Sequence, residues 1–413
     1  MKKIKGLSKI ALVAGLSIPI LLGNHGSASA AAFKDVNSNH WAYQNVEKVA
    51  SQKLVTGYQD GTFKPSNNVT RAEFATFLSR MFDRNDRKNE LFTDVPDTHW
   101  AKDAIEEGLA LGFIQESDFN NGKFEPNKAM TRQEIAKWLA NGLKVTNGEY
   151  DTIANEIQNG KYTLLPVAEY YKGGLSKSEY GNVGLMLGTG IMSGFEDGSF
   201  KTSGNTTRAE VATILIRFNE AMKKKPTDFK GLNELVEVAT TGTNMLAATK
   251  YTYWGIDANN FSNVIGKPHT FSRNNAGVGT LERMIFVEGT TQEEALKNSI
   301  YAKMFIGKNT RLAPDKDLIN MYVETGFTSN LDKTTIEAYT NGIVNSFTVN
   351  TGIQDKSVVK NYGLTSLDYE NWGVLFKKGQ KVKFWTESWL DYTKGYHNGF
   401  TTDDNSEFTL QLK

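Results

Sequence analysis

The sequence predicts two halves of different class: an α-helical half made of repeated helix–loop–helix units, then an α+β or mainly-β half. Three observations carry this. Thr-x-x-Glu recurs at Thr70, Thr131 and Thr207, each time ahead of apolar residues at helical spacing. A loop rich in glycine and ending in phenylalanine precedes each of these sites. After Phe218 that pattern stops, and strand-like runs take over.

The repeated elements each have a physical job. In Thr-x-x-Glu the hydroxyl caps the N3 amide and the carboxylate reaches back to the threonine amide, so Thr70, Thr131 and Thr207 each open a helix. Behind them Phe74, Phe77, Leu78 and Met81, then Ile135, Trp138 and Leu139, then Val211, Ile214 and Leu215 supply one apolar face. Asp60-Gly61 and Asp197-Gly198 are turn signals. Phe63, Phe124 and Phe200 are expected to plug the loops into the core. A first helix is expected near Trp41 and near Trp100, with Asn39 and Asp97 or Thr98 as caps. One unit of this size buries little alone, so three predict a closed pseudo-threefold cluster or a short stack.

An arginine stands at the first position of each second helix: Arg71, Arg132 and Arg208. A helix start offers free amides and partial positive charge, and a guanidinium adds a planar fork for carboxylate or phosphate. Three such sites predict a repeated anionic ligand. The alternative is that each arginine pairs with a nearby glutamate or loop carbonyl. Trp41 and Trp100 likewise have two readings, as core residues or as stacking platforms for a sugar ring. His40 and His99 have no second ligand at metal spacing, so no metal and no cofactor is expected.

Composition narrows the function. The 413 residues carry 47 basic and 46 acidic side chains, a net charge of +1 that argues against a nucleic-acid-binding face as the main device. The chain has 0 cysteines, which removes disulfides, thiolate metal sites and cysteine nucleophiles. Lys2, Lys3, Lys5 and Lys9, an apolar run from Ile10 to Leu22 and the small-x-small Ala28-Ser29-Ala30 predict an export signal cleaved after Ala30. The apolar run is short of the ~20 residues a membrane span needs. No membrane or sortase-type anchor is expected elsewhere, so an exported product must diffuse away or bind the wall.

In order and spacing, Phe33-x-Asp35-Val36, His40-Trp41-Ala42, Gly57-x-x-Asp60-Gly61-x-Phe63-x-Pro65 and Thr70-Arg71-Ala72-Glu73 resemble the S-layer homology family. Phe92-x-Asp94-Val95, His99-Trp100-Ala101, Gly112, Phe124-x-Pro126 and Thr131-Arg132-Gln133-Glu134 repeat the resemblance, and Gly190 to Glu210 gives the second half of a third copy. The resemblance covers roughly residues 32–218. It implies a three-pronged α-helical pseudo-trimer whose grooves bind an acidic, pyruvylated secondary cell-wall polysaccharide. The implied binding residues are Arg71, Arg132 and Arg208, with Asp35, Asp94, Gly57, Gly112, Gly194, Trp41 and Trp100 lining the grooves. Departures are Gln133 for alanine, a Glu116–Asn121 loop without Asp-Gly, Thr202 for proline, and no Asp-Val element in the third copy. These put one groove in doubt.

The expected boundaries are 1–30 for the signal, 31–90, 91–150 and 151–222 for the repeats, and 223–413 for a second domain after a Lys223–Pro226 linker. Within that domain, a helix is expected over 233–249 and a capped helix from Thr291 to Phe305. Strands are expected over 281–287, 318–323, 343–349, 373–376, 381–386 and 408–412. His269 and His397 complete no catalytic constellation, although His397 lies near Asp391, Asp403 and Asp404. Trp385, Trp389, Tyr392 and Tyr396 form either a core or a glycan or peptide platform. The reading is a secreted wall anchor, with no nucleic acid partner, presenting a domain that meets a surface protein or glycan. The alternatives are an anchored wall-acting enzyme and a structural S-layer subunit.

Overall fold

The computed structural model describes residues 33–82, 86–88, 92–255, 259–332, 334–342, 351–367, 376–391 and 398–412. The export segment, the 343–349 strand, residues 373–375, Tyr392, Tyr396 and His397 lie outside the described residues.

The helical half contains α1 (Tyr43–Ser51), α2 (Arg71–Phe82), α3 (Lys102–Leu111), α4 (Arg132–Thr146), α5 (Glu149–Asn159), α6 (Ala168–Lys172), α7 (Tyr180–Gly188) and α8 (Arg208–Ala221). All three capping boxes form. Thr70, Thr131 and Thr207 accept from the amides of Glu73, Glu134 and Glu210, and each glutamate accepts from its own threonine amide. Phe63, Phe124 and Phe200 are fully buried, each worth about 1.5–3 kcal/mol relative to exposure. The first helices start differently from expectation. His40 and His99 themselves accept, through Nδ1, the amides of Ala42 and Ala101 at 3.1 and 3.2 Å, in place of Asn39, Asp97 or Thr98.

The repeats close into a pseudo-threefold ring rather than a stack. Three backbone bonds form a triangle at its centre: Val69 donates to Thr206, Thr206 to Met130 and Met130 to Val69. Three pairings follow the same rotation: α2 with α3, α4 with α7, and α8 with α1.

Beyond the ring lie α9 (Lys230–Thr241), α10 (Met245–Ala248), β1 (Tyr251–Tyr253), β2 (His269–Thr270), β3 (Gly277–Val287), α11 (Gln292–Asn298), α12 (Ala302–Phe305), β4 (Leu318–Ser329), α13 (Ile336–Gly342), β5 (Thr351–Gly352), α14 (Lys356–Tyr362), β6 (Lys381–Asp391), β7 (Asn398–Thr401) and β8 (Glu407–Leu412). This half is α+β. One antiparallel sheet has the order β2-β3-β4-β6-β5 and a smaller one β1-β8-β7. The expected helix over 233–249 is interrupted at Gly242, whose φ of 80° ends α9 in the left-handed region. The expected helix to Phe305 breaks into α11 and α12. Strand side chains alternate between two cores: Ile285, Val287 and Tyr322 face the repeats, while Met284, Phe286, Met321 and Val323 face the small sheet. Being covered on both faces, β4 is buried along most of its length.

Residues 223–226 form no spacer. Pro226 is buried in a short 3-10 turn, and α9 folds straight back onto α5 and α7. One core runs from the repeats through Leu232, Leu235 and Val238 into Tyr301, Phe305 and Trp385. Polar bonds reinforce this seam. Arg283 donates to the carbonyls of Tyr162 and Thr163 and pairs with Glu324, and Tyr301 donates to Leu164 O at 3.0 Å. The core reading therefore holds for Trp385, whose ring packs tilted against Phe305 and is fully enclosed.

Candidate functional site

The ring creates grooves where the second helix of one repeat meets the loop of the next. Each arginine lies across such a junction. Arg71 donates to Phe124 O at 2.9 Å and meets Glu134 and Glu125 at 2.5 and 2.9 Å. Arg132 donates to Phe200 O and Ser193 O at 2.8 and 3.0 Å. Arg208 donates to Phe63 O and Thr56 O at 2.7 and 2.9 Å and meets Glu73 at 2.8 Å. All three lie over aromatic rings of the receiving loop: Phe119 for Arg71, Phe195 and Phe200 for Arg132, Tyr58 and Phe63 for Arg208. Burial pulls the pKa of Arg132 down. Burial also works against the Glu134 carboxylate, yet the Thr131 amide and Arg71 outweigh it and hold that group below its usual range.

Two expectations about these helix starts need correction. Their amides are not free. Arg71 N and Ala72 N donate to Lys128 O and Pro126 O, Arg132 N and Gln133 N to Gly204 O and Thr202 O, Arg208 N and Ala209 N to Asn67 O and Pro65 O. The backbone donors that would receive an anion are spent on closing the ring. The arginines are also largely interior and bonded to loop carbonyls, so they hold the ring together.

Asp35 and Asp94 latch loops. Asp35 accepts from Phe63 N and Lys64 N at 2.7 and 2.8 Å, and Asp94 from Phe124 N and Glu125 N, both at 2.8 Å. Lys64 and Glu125 have φ of 56° and 54°, an uncommon backbone region for such residues, and the carboxylate holds them there. The third repeat has the same latch, which the sequence pattern hid. Glu169 accepts from Phe200 N and Lys201 N, and Lys201 has φ 56°. One methylene longer than aspartate, and set in Val-Ala-Glu-Tyr rather than Phe-x-Asp-Val, it carried no motif signal. The Ala168 N bond to Gly198 O, matching Lys34 N to Gly61 O, marks the equivalence.

Trp41 and Trp100 are not core residues. They are 65% and 63% exposed and stack beside His40 and His99. Trp41, Arg132, Gly194, Phe195 and Arg217 line one cavity of about 200 Å³. Gly57 and Gly194 hold equivalent places, each just before the ring under an arginine. Gly112 does not: it ends α3 with φ 83° and open space around it. In the second repeat the place before Phe119 belongs to Asp118.

The pattern of capped arginine and carboxylate latch recurs three times around a ring, with a tryptophan before the first helix in two of the repeats, and the S-layer homology domain matches residues 32–75, 91–136 and 175–212. The chain carries three S-layer homology domains. The third match begins after Glu169, as the pattern in the sequence also did. The chain is similar to cell surface glycoprotein 1 of Acetivibrio thermocellus, 37% identical over 133 residues, 29% of this chain and 6% of that protein. It is similar to the cellulosome-anchoring protein of the same organism, 36% identical over 125 residues, 29% of this chain and 27% of that protein. An S-layer protein of Bacillus thuringiensis subsp. finitimus is 27% identical over 218 residues, 52% of this chain and 24% of that protein. The chain thus spans under a third of the length of these relatives. The three domains place it among cell-surface proteins. Among the described residues no helix is long and apolar enough to cross a membrane.

Proposed function

We propose that the ring of repeats anchors the chain non-covalently to the cell wall by binding an acidic secondary cell-wall polysaccharide, and that the α+β half is what the anchor presents. The observation that carries this is one groove in which an outward-facing tryptophan, Trp41, stands over a cavity lined by a buried arginine, Arg132. An aromatic face covers the apolar side of a sugar ring while a guanidinium meets its carboxylate. Trp100 with Arg208 and Gly57 repeats the set by symmetry. No reaction is assigned to the repeats, since stacking and charge recognition hold a polymer without changing it.

The test is co-sedimentation of the mature chain with native walls and with walls chemically stripped of their polysaccharide. The comparison variant is Trp41→Ala/Trp100→Ala, chosen because both side chains face solvent and their loss leaves the core intact. Binding to native walls that disappears on stripping, and falls in the double variant, is the expected result. Equal binding to stripped walls would overturn the proposal and move the attachment to bare peptidoglycan.

A further inference from the structure

The three grooves share a plan but differ in charge. Arg71 is already neutralised by two carboxylates, Glu134 and Glu125, and Arg208 by one, Glu73. Arg132 pairs with no carboxylate among the described residues. Its bonds to Phe200 O and Ser193 O use only part of a guanidinium's donor set. It is nevertheless 6% exposed. Glu210 caps Thr207 through Oε2 as Glu134 caps Thr131, yet it forms no ion pair with Arg132; Glu210 and Glu169 act on that guanidinium only at longer range. A buried cation without a contact ion pair is costly, and an anion bound directly to it lowers that cost. Arg217 adds a second positive group to the same cavity.

The Arg71 groove is the opposite case. Its cavity is larger, about 430 Å³. Asp118 replaces the glycine of the other two grooves and pairs with Lys137 at 2.5 Å, consuming that cation as well. Ser178, two residues before α7, stands where the other repeats have tryptophan, and the adjoining Glu179 is among the residues lining the cavity. Asp118 Oδ2 is buried without a hydrogen-bond partner.

We infer that the grooves are ranked by residual charge: the Arg132 groove is the primary site for a carboxylate-bearing sugar, the Arg208 groove is secondary, and the Arg71 groove is closed to anions by Glu134, Glu125 and Asp118 and lacks the tryptophan of the other two. The inference rests on the anchoring function proposed above and adds which grooves work and which residues decide it.

The experiment is calorimetric titration of the whole chain with the methyl glycoside of a hexose carrying a ketal-linked pyruvate. Wild type is expected to show two sites of unequal affinity. Trp41→Ala removes the tighter one, with a loss of at least about tenfold, and Trp100→Ala removes the weaker. Glu125→Gln/Asp118→Gly/Ser178→Trp, which leaves Arg71 one carboxylate as Arg208 has and restores the glycine and tryptophan of the other grooves, raises the number of sites from two to three. Glu125→Gln/Asp118→Asn/Ser178→Trp, which keeps the shape at 118 and removes the charge, does the same in part and guards against a folding defect in the glycine variant. Three equal sites in wild type, equal effects of the two tryptophan changes, or an unchanged site number in both triple variants overturns the ranking while leaving the anchor standing. Absence of probe binding together with absence of wall binding overturns both.

Discussion

The second and third repeats meet the same packing problem with different partners. In the second, Asp94 latches the loop, and the first helix, α3, packs on α2 within the ring. In the third, Glu169 latches the loop, and α7 is sandwiched between α4 and α9, a helix from beyond the repeats. Gly188 and Gly231 let α7 and α9 approach so closely that a Cβ at Gly231 would lie 2.7 Å from Gly188 O. The third repeat has exchanged a tryptophan-bearing outer edge for a docking face. One fold unit can therefore be a binding prong or a mounting plate, depending on what covers its first helix.

The largest expected effect tests that dependence. A chain ending at Lys223 loses Leu232, Leu235 and Val238, all buried in the shared core. At about 1.5–3 kcal/mol each, their loss rivals the whole stability of a domain. Hydrogen exchange on that fragment should show α5 and α7 unprotected; full protection would mean the third repeat stands alone after all. Next is the seam itself. Glu324→Gln strands the Arg283 guanidinium against the carbonyls of Tyr162 and Thr163, at about 3–5 kcal/mol. Urea unfolding should recover most of this in Arg283→Met/Glu324→Leu.

A third prediction concerns pH on the sheet side of the seam. Burial pushes the Glu387 carboxyl up from 4.5 to about 7. The folded protein then holds a proton that the unfolded chain releases near 4.5, so the folded state is favoured at low pH. Stability falls as pH rises between these values, by about 3 kcal/mol in all. Denaturant midpoints at pH 5 and pH 8 should differ in wild type and converge in Glu387→Gln. The smallest effect compares the latches directly. Asp94→Ala and Glu169→Ala each release two backbone amides from a carboxylate, at about 1.5–3 kcal/mol. Equal losses in thermal melts would make Glu169 the true counterpart of Asp94; a negligible loss for Glu169→Ala would break the equivalence.

The helix starts of the ring were legible because a capping box is local: Thr131 and Glu134 are three residues apart and find each other without tertiary help. The closed ring was one of two readings, since neighbour-completion alone does not choose between ring and stack. Glu169 was not legible because its role depends on Phe200 and Lys201, some thirty positions away. Trp41 and Trp100 were open between two readings for the same reason. Their type suits a core, and only the ring geometry turns them outward. The position of each arginine at a helix start was legible, but the spending of the helix amides was not, because each acceptor carbonyl belongs to another repeat. In the sheet half, strand existence was clear at β3, β4, β6 and β8, whereas order and register rest on pairings between distant segments such as Leu318 with Asp391.

The triangle of bonds among Val69, Met130 and Thr206 also sets a timetable. Arg208 reaches Phe63 O across 145 positions, so a chain appearing from its N-terminus has the first loop long before the arginine that completes it. No prong is finished until all are, and a half-emerged chain has nothing with which to grip.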